Sequence, residues 1–215
     1  MPFSPMIRRL RHFLIGVCSL FLIGLVALPE GAQAQQATQA EIQQMLEERN
    51  QEIKSILSGS TDYTPEQRQR LKELINGVLD FQIMAQTALG PHWDTLSTDR
   101  RAEFVDVFRD VVRAQSMSDL DVYNSKVTYD QISVQGDSAY VRTITEYKDS
   151  KTPVEYVLER KDGEWKAEDI IVDEVSTAEG YARSFQSVMR KRGFKALMGA
   201  LEKKRKEVSG DTAEG

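Results

Sequence analysis

Residues 126–175 read "KVTYDQISVQGDSAYVRTITEYKDSKTPVEYVLERKDGEWKAEDIIVDEV", and this stretch decides the fold. Four runs within it, 126–134, 138–147, 153–161 and 164–175, are rich in β-branched and aromatic residues. Gly136-Asp137 and Asp162-Gly163 punctuate them as turns. Short connections between such runs predict four antiparallel strands in a meander. The last run contains a phase slip. Trp165 and Ala167 share one face, whereas Ile170 and Val172 fall on the other if the strand is regular. One extra residue at Glu168-Asp169 would return all four to one face, which predicts a β-bulge there.

On either side of the meander the period changes to that of helices. Upstream, Ile42, Met45, Leu46, Ile53, Ile56 and Leu57 mark an amphipathic helix over 41–57, after a Gln/Ala/Thr stretch (35–39) read as a flexible start. "TPEQ" at 64–67 spells a capping box with proline at the first helical position. Leu71, Leu74, Ile75 and Val78 carry the helix that follows. Asp80 is placed to cap a short helix, Phe81 to Leu89, which Gly90-Pro91 ends. Ser97 or Thr98 opens a long helix expected to reach about Tyr123, with Phe104, Phe108, Val111 and Val112 in its stripe. Downstream, two helices carry Tyr181, Phe185, Val188 and Met189, then Phe194, Leu197, Met198 and Leu201. Helices, strands, then helices predict an α+β domain, its helices on one face of a curved antiparallel sheet of about four strands.

The first 34 residues read differently. Arg8, Arg9 and Arg11 precede an apolar run from Phe13 to Leu28, and Ala32-Gln33-Ala34 supplies a small-x-small site. This is the pattern of a signal peptide cleaved after Ala34, leaving one domain over 35–208 and a disordered tail at 209–215. A retained anchor is the alternative, since the apolar run falls just short of a span. The lone cysteine, Cys18, lies inside the leader, so the mature chain has no disulfide, thiol nucleophile or cysteine metal site. Export without disulfides suits a bacterial periplasm. Removal of the leader takes Lys+Arg from 28 to 25 and Asp+Glu from 33 to 32, a net charge of −7. Such a chain is a poor general binder of nucleic acid.

Signs of catalysis are few. No P-loop, nucleophile elbow or dinucleotide fingerprint occurs, and no metal or other cofactor is expected. His92 is the one histidine beyond the leader and has no evident nucleophile beside it. Asp169 with Tyr156 would be the acid/base pair of an isomerase-like enzyme on this scaffold; an envelope adaptor with a filled core is a further alternative.

The apolar residues are more suggestive. Phe81, Met84, Leu89, Trp93, Phe104, Phe108, Val111, Val112, Phe185 and Met189 belong to the inner faces of the helices. Val154, Tyr156, Leu158, Trp165, Ile170 and Val172 face them from the strands. These residues are either a plain core or the lining of a pocket for a flexible apolar ligand. Residues 190–206, "RKRGFKALMGALEKKRK", hold eight basic residues and one acid. Arg190, Lys191, Arg192 and Lys195 are the candidates there for contact with an anionic headgroup or an acidic partner.

Four pieces in order carry a resemblance: "DFQIMAQTALGPHW" (80–93), "TLSTDRRAEFVDVFRDVV" (95–112), "PVEYVLERKDGEWKAEDIIVDEVS" (153–176) and "YARSFQSVMRKRGFKALMGAL" (181–201). Together they resemble the MlaC or toluene-tolerance family of periplasmic phospholipid-binding proteins. The matching positions are Asp80, Phe81, Met84, Ala85, Leu89, Gly90 and Trp93, the pair Phe104 and Phe108, then Trp165, Lys166, Asp169, Val175 and Ser176, and finally Phe185, Gly193, Leu197 and Leu201. The resemblance implies a fold similar to nuclear transport factor 2, opened to admit acyl chains between helices and sheet. It implies a monomeric carrier moving phospholipid between an outer-membrane lipoprotein complex and an inner-membrane ABC transporter with a substrate-capture subunit. The chain departs from the family pattern at Glu174 (a glycine place), and at Ser116 and Glu168 (aromatic places), departures that bear on the size of the pocket.

Overall fold

The computed structural model describes residues 30–59 and 62–211. The meander is present: β1 (Lys126–Gln135), β2 (Ser138–Tyr147), β3 (Ser150–Lys161) and β4 (Glu164–Val172) pair antiparallel in chain order. A fifth strand, β5 (Val175–Ser176), adds two residues at the β4 edge, so the sheet has one strand more than expected. The phase slip is resolved as anticipated. Val157 pairs with Asp169 but Leu158 pairs with Ala167, so Glu168 is the extra residue. A second bulge, at Asp130 of β1, left no such mark in the sequence.

Register then defines the inner face in three cross-strand rows, because directly opposed residues share a face. Val134, Ala139, Leu158 and Ala167 form the first. Ile132, Val141, Tyr156 and Ile170 form the second, and Tyr129, Thr143, Val154 and Val172 the third.

The helices are α1 (Glu30–Leu57), α2 (Pro65–Asn76), α3 (Phe81–Leu89), α4 (Thr98–Ser116) and α5 (Thr177–Asp211), with short 3-10 helices at Gly90–Thr95 and Asp121–Asn124. The Thr64/Gln67 capping box forms in both directions, and Ser97 caps α4 through the backbone N–H of Arg100. α5 is two helical arms joined at Gly193, whose φ of 76° and ψ of 175° break the helix. Three expectations shift. α1 already runs through residues 30–40, because Gln35 and Gln39 donate their side-chain amides to the carbonyls of Val134 (3.0 Å) and Ile132 (2.9 Å). Four residues of helix rise about 6 Å and two of strand about 6.8 Å, so one face of α1 can serve alternate carbonyls of β1. α4 stops at Ser116 rather than near Tyr123. Ser118 Oγ bonds the carbonyl of Gln115, Asp119 takes the N–H of Asp121, and Tyr123 Oη donates to the carbonyl of Ser116. Polar side chains that capture end groups in this way compete with continuation of the helix. At the other end, α5 extends to Asp211, past the start of the expected tail. Residues 1–29 of the expected leader and 212–215 of the tail lie outside the described residues. No described helix is long and apolar enough to cross a membrane.

Two apolar clusters set the site. α3, α4 and α5 bury an aromatic core in which Phe104 and Phe108 stack at 5.8 Å, with Phe185 edge-on to both. The first two rows of the sheet pack under α1, against Ile42 and Leu46. Leu79 touches both clusters, and the segment around it is bonded to the sheet: Ala167 N–H donates to Val78 and Asp80 N–H to Ala167.

Candidate functional site

Asp80 shows how the sequence builds the site's frame. Its Oδ1 accepts the N–H of Ile83 and caps α3, while Oδ2 lies 2.8 Å from Lys161 Nζ. Burial alone would raise this carboxyl, but the Lys161 ammonium and the backbone N–H groups outweigh it and hold the group below its usual range. Lys161 also meets Glu168 at 3.1 Å, so the bulge residue completes a clamp between β3, β4 and the start of α3. The Leu-Gly pair at the end of α3 has an equally local cause. Gly90 has φ 52°, and a Cβ there would sit 2.6 Å from Gln186 Nε2 on α5. Gln186 is a flexible side chain that could swing aside, so it is the backbone at Gly90, with φ 52° and ψ −131°, that favours glycine.

The candidate residues separate into three groups. Phe81, Met84, Leu89, Trp93, Phe104, Phe108, Val111, Val112, Phe185 and Met189 come together in the core of α3, α4 and α5. Leu158 and Trp165 are buried beneath α1, with Tyr156 and Ile170 partly buried beside them. Val154 and Val172 belong to neither cluster. Val154 is partly exposed and Val172 is 43 % exposed.

The inner face of the sheet is therefore uneven. In its first row Leu158 is 1 % exposed and Ala167 fully covered. In the third row Thr143 is 1 % exposed, but cover is incomplete on either side of it, over Tyr129, Val154 and Val172. Tyr156 marks the boundary. Burial pushes its hydroxyl pKa up, yet its side chain keeps accessible surface. Tyr123, from the second 3-10 helix, and Tyr129 are desolvated in the same place and both feel Tyr156; Tyr123 is pushed up to about 12. Val122, Val172 and Val175 are exposed apolar side chains, the latter two paired across the β4–β5 turn at the end of the third row. Sequence reasoning missed Tyr123, Tyr129 and Thr143. Strand alternation marked the last two, but the register that puts them beside Val154 had to be seen.

The pairing that an isomerase would need is absent. Tyr156 faces inward, whereas Asp169 pairs with Val157 on the outer face. There it accepts the Ser176 hydroxyl and the N–H of Ala178, which anchors the start of α5. His92 lies in the first 3-10 helix, with its carbonyl bonded by Thr95. Among the described residues no cluster of His, Cys, Asp or Glu is arranged to hold a metal. Of the departures from the family pattern, Ser116 donates to Asn76 Oδ1, Glu168 joins the Lys161 clamp, and Glu174 sits in the β4–β5 turn. None is on the inner face. Arg190, Lys191, Arg192 and Lys195 are exposed around the Gly193 break.

Helices laid over one face of a curved, open antiparallel sheet, with an apolar inner surface left partly uncovered, define an α+β protein of the type that houses a ligand between its two layers. The chain belongs to the MlaC protein family, whose model matches residues 31–203. Among solved structures it is similar to a phospholipid-binding protein from Ralstonia solanacearum determined in complex with a phospholipid. The two share 20 % sequence identity and a TM-score of 0.65, over 80 % of this chain and 98 % of that one. No curated protein matches the chain.

Proposed function

We propose that this protein is a periplasmic phospholipid carrier, and not an enzyme, with the acyl chains held against the third row of the sheet. The observation that carries the reading is the uneven inner face: mostly apolar, closed at Leu158 and, beside a buried Thr143, open at Val154 and Val172. Membership of the MlaC family and the phospholipid in a structurally similar protein support the choice of ligand. Each buried methylene contributes about 0.8 kcal/mol, so two long acyl chains exposed to water cost on the order of 20 kcal/mol. A carrier must cover most of that surface without holding the lipid much more tightly than a bilayer does. Apolar contacts with few polar anchors meet both conditions, and transfer between sites breaks no bond.

In this reading Tyr156 and Tyr129 frame the inner end of the chains. The aromatic core of α3, α4 and α5 is the rigid wall behind them, and Arg190, Lys191, Arg192 and Lys195 meet a headgroup or an acidic partner. The partners are an outer-membrane lipoprotein complex and an inner-membrane ABC transporter with its capture subunit, served by a monomer after cleavage of the leader. The test is native mass spectrometry of the protein purified from periplasm without detergent, followed by lipid extraction. A stoichiometric adduct that resolves into diacyl phospholipid is expected. A clean apo mass that persists after incubation with phospholipid vesicles overturns the reading.

A further inference from the structure

A second concavity lies away from the inner face of the sheet. It is a cleft of about 550 Å³ between α2, α4 and the distal arm of α5, and no candidate lipid-site residue lines it. Arg68 and Lys72 of α2, Arg113 of α4, and Arg205 and Lys206 of α5 bring five cations to it against one acid, Asp110. On α4 and its C-cap the cleft takes Asp110, Arg113, Ala114 and Met117, a stripe at three- and four-residue spacing distinct from that of Phe104, Phe108 and Val111. The break at Gly193 turns the basic end of α5 back along α4, where Leu197, Met198 and Leu201 join the core. The cationic segment of the sequence is thereby divided. Arg190 to Lys195 stay at the break, and Arg205 and Lys206 are delivered to the cleft.

Arg68 and Arg205 have partners within the fold, Arg68 Nε donating to the carbonyl of Tyr63. Asp110 lies 3.5 Å from Arg205, which meets Glu202 at 2.6 Å, so the one acid in the cleft is already engaged. The Arg113 guanidinium rests over the Phe81 ring at 5.3 Å, which fixes its plane, and its buried Nε has no hydrogen-bond acceptor. Like charges gathered in a partly shielded groove repel one another, and an anion relieves that repulsion. A planar guanidinium held in place beside lysine ammonium groups suits a tetrahedral oxyanion, and the volume falls in the range of small-molecule sites.

We propose that this cleft binds a phosphate ester: the lining of Lys72, Arg113 and Lys206 is a site for the phosphate group of a small organic molecule, separate from the acyl site. The proposal does not depend on the lipid reading of the sheet. Its test is titration of the full mature chain with inorganic phosphate and, separately, with glycerol 3-phosphate, followed by calorimetry and by NMR of the arginine Nε–H groups. Saturable binding is expected, with shifts at Arg68, Arg113 and Arg205. It should weaken about tenfold or more in the Lys72→Ala/Lys206→Ala double variant, whose thermal midpoint and lipid occupancy stay at wild type. Glycerol 3-phosphate binding about tenfold more tightly than phosphate assigns the site to a lipid-derived headgroup; equal affinity assigns it to free phosphate. Shifts confined to Arg190, Arg192 and their neighbours, binding unchanged in the double variant, or a response to a Glu-rich peptide and to neither phosphate overturns the proposal.

Discussion

The two ends of one sheet face behave as different materials. At the Leu158 end every inward side chain meets a partner: Ala139, Val141, Leu158, Trp165 and Ala167 are buried with Ile42 and Leu46 of α1, and the Val78–Asp80 segment seals the β4 edge. At the Val154 end the same strands leave Tyr129, Val154 and Val172 partly bare around a buried Thr143. The difference lies in what covers them. A β-strand with an apolar inward face folds equally well under a helix or beside a hollow, and tertiary packing, not the strand's own pattern, decides which. One end thus holds the fold together, and the other is free to hold something else.

The largest test of that division is Leu158→Ala. Leu158 is 1 % exposed, and truncation there is expected to cost about 3 kcal/mol of stability by chemical denaturation, with lipid per folded molecule unchanged. Loss of lipid with stability intact would show that the closed end is part of the pocket. Next is Asp80→Asn, which keeps a cap but removes the charge that meets Lys161. A loss of about 1.5 kcal/mol is expected at neutral pH. The Asp80 carboxyl is held below its ordinary value, so its contribution is complete above the unfolded value near 4 and is lost as pH falls through the lower folded value. Wild type and variant should therefore converge in acid. A gap that stays constant with pH would mean that the clamp acts through shape and not through charge.

Val154→Asp probes the open end. Its partial exposure leaves the new carboxylate within reach of water, so the thermal midpoint should move little. Occupancy by phospholipid, read by native mass spectrometry, should fall about tenfold, since a charge on the wall must be desolvated by an acyl chain. A variant that unfolds instead would place Val154 in the core and remove the contrast between the two ends.

The sequence carried much of this pattern and omitted one part of it. The meander, the bulge at Glu168, the Thr64 box and the Asp80 cap were legible because each is written in adjacent residues: alternation, a phase slip, a cap three positions from its N–H. The division between closed and open ends was not. Leu158 and Val154 read alike in "PVEYVLERK", since cover depends on α1, more than a hundred residues away. The helical start of α1 was hidden for the same reason, because Gln35 and Gln39 are stabilised by carbonyls of a strand with which they share no local pattern. The basic cleft was half legible. The run at 190–206 announced the charge, but only the turn at Gly193 shows which cations leave the surface for the groove.

The smallest effect is the most diagnostic of how the open end is made. Asp173 and Glu174 both have positive φ, 50° and 64°, the two-residue arrangement of a tight hairpin turn between β4 and β5. The second place favours glycine, and a non-glycine residue held there costs about 1 kcal/mol. Glu174→Gly should therefore stabilise the protein by about 1 kcal/mol, a rise of about 3 °C in thermal midpoint, less the entropy that glycine adds to the unfolded chain. The turn carries Val172 and Val175, the exposed apolar pair at the end of the third row, yet Glu174 itself belongs to none of the inner rows. Stability and occupancy should thus separate: a higher midpoint with the same bound phospholipid. If occupancy rises or falls with the midpoint, the strain at Glu174 sets the margin of the open end, and the left-handed glutamate is part of how the site is shaped and not an accident of the turn.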